Sequence, residues 1–240
     1  MNFRFVSFSA FLSVLLFLLL STDCFSQGTV FGPKGGLTLG LQTWNGFDRE
    51  PLIAYHGAFF IEGYNEESLS ALFAQIGYHK RGSAEQILFN AGGGSLFRER
   101  QTFEFNNLAL ILGAKKRLDV AGDNKPYYSF GARIEYTIGT NLDQYNTFGG
   151  YFPTDPFVNK INYGATVAFG YEMNFAEHVG LLIEASISPD LSKQYFQPRI
   201  PNVIEPFRGQ VITLPEQTIR NITFELSVGL RLLRKVVYLN

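Results

Sequence analysis

Residues 221–233 read NITFELSVGLRLL. Every second position is apolar: Ile222, Phe224, Leu226, Val228, Leu230 and Leu232. Between them lie Thr223, Glu225, Ser227, Gly229 and Arg231. Side chains alternate across a strand, so this is a β-strand with one apolar and one polar face. A sheet in water buries its apolar row in protein. A strand of a membrane barrel turns that row to lipid and keeps the polar row inside. Alternation alone does not choose between them.

The same period recurs upstream, and eight strands are expected at about 33–43, 53–63, 69–81, 102–117, 127–139, 160–174, 178–188 and 218–234. In the fifth, Tyr128, Phe130, Ala132, Ile134, Tyr136 and Ile138 oppose Ser129, Gly131, Arg133, Glu135 and Thr137. The sixth opposes Tyr163, Ala165, Val167, Phe169, Tyr171 and Met173 to Gly164, Thr166, Ala168, Gly170 and Glu172. The seventh does likewise, with Leu182 as an exception on the polar face. The second strand is ambiguous in phase. The fourth changes phase near Asn106 and Asn107, where a bulge is expected. All ten prolines fall outside the expected strand interiors, as a residue without an N–H requires.

Three further signals choose lipid. The connections run roughly nine, five, twenty, nine, twenty, three and twenty-nine residues, so long ones fall only at odd-numbered links and share one rim. The polar rows are rich in Gly, Ala, Ser and Thr with isolated charges, which suits a narrow lumen better than a watered surface. Charged residues are only 17% and aromatics 15%, and Tyr128, Tyr136, Tyr163, Tyr171 and Phe175 sit near strand ends like an interfacial girdle. The expected fold is all-β: an eight-stranded antiparallel up-and-down transmembrane β-barrel with short periplasmic turns and long extracellular loops.

The N-terminus carries Arg4, then sixteen uncharged residues, then STDCFSQ. This reads as a secretory signal peptide, residues 1–26, ahead of a barrel domain at 27–240 in the outer membrane. A lipoprotein signal ending at Cys24 is the rival, with Asp23 against it. The net charge of −1 gives no reason to expect a nucleic-acid partner. Past residue 26 there is no cysteine, and no His pair has ligand spacing, so neither metal nor cofactor is expected.

The stretches FGPKGGLTLG, ALFAQIGYHKRGS and NLALILGAKKRL, with the glycine-punctuated FGARIEYTIG and ATVAFGYEM, resemble the PorT-like small outer-membrane β-barrel proteins common in Bacteroidota. The resemblance covers most of the mature chain. It implies an eight-stranded barrel, and most members have no assigned activity. PorT itself is associated with type IX secretion.

Seven charged residues are expected to form a lumen network of crossed salt bridges: Lys34, Arg133, Glu135, Glu172, Glu184, Glu225 and Arg231. The alternative for the same set is a proton or ion path. Tyr145, Phe148, Tyr151, Phe152, Tyr195, Phe196 and Phe207 lie in two of the long loops, 140–159 and 189–217. They make either a surface for a protein partner or a compact cap of self-packed loops. The histidines are His56, His79 and His178, and His79 near Ser83 and Glu85 is the conceivable hydrolase group. NAGGGSLF lacks the Lys-Ser/Thr of a phosphate loop, and Asn221-Ile222-Thr223 lies within a strand, so neither is read as a site. The functional expectation is a non-enzymatic, lipid-embedded protein without a pore that acts structurally or through its outer loops. The alternatives are a secretion or barrel-assembly subunit, a lipid-modifying enzyme, and a soluble lipocalin-like carrier with its apolar rows inside.

Overall fold

The computed structural model describes residues 28–45, 49–65, 68–90, 96–120, 122, 124–148, 153–204 and 209–235, with side chains for all but 87–90, 96–97, 99 and 146–148. The expected signal peptide, residues 1–26, and Cys24 within it lie outside the described residues.

The strands are β1 (Gly28–Trp44), β2 (Glu50–Tyr64), β3 (Ser70–Asn90), β4 (Leu96–Arg117), β5 (Lys125–Thr140), β6 (Ile161–Asn174), β7 (Val179–Pro189), β8 (Tyr195–Gln197), β9 (Ile200–Ile204), β10 (Val211–Leu214) and β11 (Gln217–Lys235). Strands β1 to β7 pair in chain order, β7 pairs with β11, and β11 returns to β1, so eight antiparallel strands close on themselves. Closure satisfies every wall strand on both sides, which is what a strand structure in lipid requires. Short β8 continues the line of β7 along β11, with Ile219 facing Tyr195, and β9–β10 form a separate hairpin.

The apolar rows face outward. On β11, Ile222, Phe224, Leu226, Val228 and Leu230 are exposed, while Thr223, Glu225, Ser227 and Arg231 are buried. From Ile222 to Leu232 the strand advances about 33 Å at 3.3 Å per residue. At a tilt of about 40° that is about 25 Å of height, the thickness of the apolar band on a membrane barrel. Tyr128, Tyr171 and Phe175 are exposed at the short-turn rim, and Tyr136 and Tyr163 at the other, as the girdle expectation had it. A carrier with apolar rows inside is contradicted by this orientation.

Four local expectations change. Strands β3 and β4 run on as a hairpin from Ser70–Lys116 to Asn90–Leu96, so five residues link them rather than twenty. No proline lies between Pro51 and Pro126, and nothing interrupts the ladder once it starts. The link from β1 to β2 likewise spans 45–49, five residues rather than nine. Pro33 lies inside β1, not at its start: it pairs with Phe59 on β2, while Gly32 and Pro33 drop out of the β1–β11 register, where the missing N–H is tolerated. Along β4 the alternation is unbroken, with Phe103, Phe105, Asn107, Ala109 and Ile111 all buried. The register irregularity at Asn106/Asn107 exists against β5, but the apparent phase change is a change of filling, from the inward aromatics Phe103 and Phe105 to the smaller Asn107, Ala109 and Ile111. The ambiguous β2 resolves with His56, Phe60 and Glu62 inside and Ile53, Tyr55, Phe59 and Ile61 outside.

Candidate functional site

Inward positions of eight strands converge on a lumen too narrow for water-filled transport, and its charges must find one another. They form tiers. Nearest the short turns, Lys115 Nζ donates to Glu62 Oε2 at 2.8 Å and also to Glu172, and Arg117 Nε donates to Glu172 Oε2 at 2.8 Å while its Nη2 reaches Glu62. Arg231 Nη1 donates to Asn174 Oδ1 at 3.1 Å. Above this, Glu184 accepts from Lys34 at 2.5 Å and from the Tyr127 hydroxyl at 2.7 Å. A void of about 20 Å³ beside Gln75 and Ser129 is the size of one water.

The next tier holds two stacked imidazoles, His56 and His79, with ring centres 5.7 Å apart. His56 Nδ1 lies 2.9 Å from Thr38 Oγ1 and its Nε2 lies 2.8 Å from Ser227 Oγ. His79 Nδ1 lies 2.5 Å from Glu225 Oε1. The hydrolase grouping of His79 with Ser83 and Glu85 does not form. Ser83 donates to Gln42 at 2.6 Å, and Glu85 pairs with Arg49.

The uppermost tier ties the wall to the loop after β7. Arg81 on β3 pairs with Glu135 at 2.8 Å and with Asp190 at 3.0 Å, and Arg133 pairs with Glu135 at 2.9 Å and also with Asp190. Asn221 Nδ2 donates to Asp190 Oδ2 at 2.8 Å, so the glycosylation-like asparagine is a buried lumen residue. Asp190 can lie here because Gly164 on β6 leaves room. A Cβ at 164 would sit 3.2 Å from the Asp190 Cα and 2.8 Å from Arg133 Nη2.

No protein-family model matches the chain, and no curated protein matches it. Solved structures do. Neisserial surface protein A (NspA) superposes over 85% of this chain and 96% of its own at a TM-score of 0.50 and 12% identity. OprG of Pseudomonas aeruginosa superposes over 86% and 96% at a TM-score of 0.54 and 10% identity. The chain has the fold of these small outer-membrane β-barrels. At such identity the likeness concerns the fold alone.

All seven lumen residues expected from the sequence point into the barrel, but they divide among the tiers instead of forming one network. Arg81, Glu62, Lys115, Arg117 and Asp190 were missed. Counting every second residue from Asn107 would have reached Lys115 and Arg117; the apparent break in β4 hid them. Asp190 carried no such signal, since it lies beyond the strand in a proline-bearing loop.

The loop aromatics separate, and two need correction as interaction residues. Tyr145 and Tyr195 are buried in a cap with Trp44, Phe103, Phe105, Leu142 and Ile219. Large apolar rings standing in water above the lipid gain most by packing together. Phe103 lies 4.8 Å from Tyr145 and 5.2 Å from Trp44, and the Arg49 guanidinium sits 3.7 Å over the Trp44 ring. Tyr145 donates to the Thr102 carbonyl at 2.9 Å, and burial pushes the Tyr195 hydroxyl up to about 12. Phe196 remains part-exposed. Phe148 ends a 3₁₀ helix (Leu142–Phe148) without a described side chain, and Tyr151, Phe152 and Phe207 lie outside the described residues.

Proposed function

We propose that this protein is exported by its N-terminal signal peptide into the outer membrane, where it is a sealed barrel acting as an interaction protein through its long-loop rim. The observation that carries this reading is Asp190, held by Arg81, Arg133 and Asn221, which fastens the chain just after β7 onto an already filled lumen beneath the aromatic cap. A barrel filled in this way has no transport path, and the parts that reach beyond its wall are the loops. Beyond the cap, Leu191, Phe196, Ile204 and Val211 expose apolar surface at that rim, which favours a protein partner there. The reading is non-enzymatic, because His56 and His79 are engaged inside the wall with Thr38, Ser227 and Glu225. The PorT-like resemblance belongs to the same reading: its motifs lie along the wall strands β1, β3, β4, β5 and β6.

Membrane fractionation combined with surface cross-linking on intact cells tests it. The protein should be recovered in the outer membrane, run faster on a gel unboiled than boiled, and carry a specific cross-linked partner. The partner should be lost when residues 198–210 are replaced by a Gly-Ser linker. Recovery in the soluble fraction, or cross-links indifferent to that replacement, contradicts the proposal.

A further inference from the structure

Among the described residues, the short-turn mouth, unlike the other, is open. A cavity of about 640 Å³ lies there, within the range of small-molecule sites, and its walls include Tyr64, Arg117, Asn174, Phe175 and Arg231. Its inner wall carries a charge mismatch. Lys115, Arg117 and Arg231 face only Glu62 and Glu172, three cations for two carboxylates among the described residues. Lys115 and Arg117 each bridge both carboxylates. Arg231 is left with a 3.6 Å approach to Glu172, beyond hydrogen-bond reach, and a bond to the neutral Asn174 side chain. Its guanidinium rests 5.6 Å over the Tyr64 ring. The remaining lumen carboxylates are engaged elsewhere: Glu184 by Lys34, Glu225 by His79, Glu135 and Asp190 by Arg81 and Arg133. At the outer edge Lys125 adds positive charge, and its pairing with the exposed Asp119 at 3.6 Å is of small weight. Arg231 is 4% exposed although it lines this cavity, and a cation so enclosed favours a full counter-charge.

We propose that this mouth is an anion site that takes a phosphate-type oxyanion, with Arg231 as its principal ligand and Lys125 at its edge. The planar fork of arginine suits tetrahedral oxyanions. Two sources carry that chemistry, free phosphate and the headgroup of an anionic phospholipid. The exposed Phe175 and Tyr171 mark this rim as the membrane interface, so a headgroup lies within reach.

The test is heat-induced unfolding of the full refolded protein, read from the gel shift. It is run in uncharged detergent with increasing inorganic phosphate at constant ionic strength. A parallel series uses phosphatidylcholine vesicles with and without phosphatidylglycerol. Stabilisation by phosphate that saturates, with Arg231→Gln weakening its apparent affinity at least tenfold, supports a free-phosphate site. Stabilisation only by phosphatidylglycerol, again lost in Arg231→Gln, supports the headgroup source. If Arg231→Gln does not fold, Lys125→Gln at the edge should weaken the effect several-fold and serves as the deciding variant. No stabilisation in either series, or stabilisation equal in wild type and variants, overturns the proposal.

Discussion

Arg81 on β3 and Asp190 beyond the end of β7 meet at the barrel mouth, 3.0 Å apart and 109 residues distant in sequence. Both are buried, and Arg133 and Asn221 complete the carboxylate's shell. This contact makes a loop residue part of the lumen, and it turns a surface connection into a fastening.

Asp190→Ala should therefore destabilise the barrel by about 3–5 kcal/mol, the range for stripping one partner from a buried ion pair. Asp190→Asn, which keeps an acceptor for the guanidinium groups, should cost less. Urea unfolding in detergent followed by the heat-shifted gel band measures both. Equal stability of Asp190→Ala and wild type would show that the fastening carries no energy.

The lipid face gives an orientation test. Val167 and Leu226 are exposed on apolar rows, and each change to Arg should cost about 2–4 kcal/mol near the bilayer centre. Thr166 points inward, 2.9 Å from Ser188, and Thr166→Ser should change stability by less than about 1 kcal/mol because its hydroxyl is kept. The comparison is made in vesicles. A harmless Val167→Arg would reverse the assignment of inside and outside.

Ion conduction should be negligible. Among the described residues six lumen cations, Lys34, Arg81, Lys115, Arg117, Arg133 and Arg231, are interleaved with six carboxylates, Glu62, Glu135, Glu172, Glu184, Asp190 and Glu225, so the filled lumen offers no continuous path. Planar-bilayer recordings of the purified monomer check this. Steady single-channel currents would restore the ion-path reading of these residues.

The loop after β7 should tolerate shortening in one part only. Replacing 198–210 removes β9, which belongs to the separate hairpin, and loop closure changes little in energy with length. Beginning the replacement at Lys193 also removes Gln194, which donates to Thr137 at 2.8 Å, and Tyr195 from the aromatic cap. That longer replacement should cost at least about 3 kcal/mol, in line with truncating a buried aromatic. Thermal midpoints of the two variants on unboiled gels separate the cases; equal midpoints would return Tyr195 to the surface.

The sequence by itself determined the wall. Alternation is a local property, and combined with low charge, small polar-row residues and girdle tyrosines it placed Leu226, Val167 and Phe130 on the outside and Glu225, Thr166 and Arg133 within. It also determined which charges on β5, β6, β7 and β11 would be buried. Only the tertiary structure decided their partners, because ion-pair geometry joins strands far apart in the chain: His79 to Glu225, Lys34 to Glu184, Arg81 to Asp190. It alone decided the length of the β3–β4 hairpin, where pairing continues as long as each strand finds the other. And it alone separated the loop aromatics. Tyr145 and Tyr195 are buried while Phe196 is part-exposed, a difference set by what stands above the barrel to pack against and written in no local pattern.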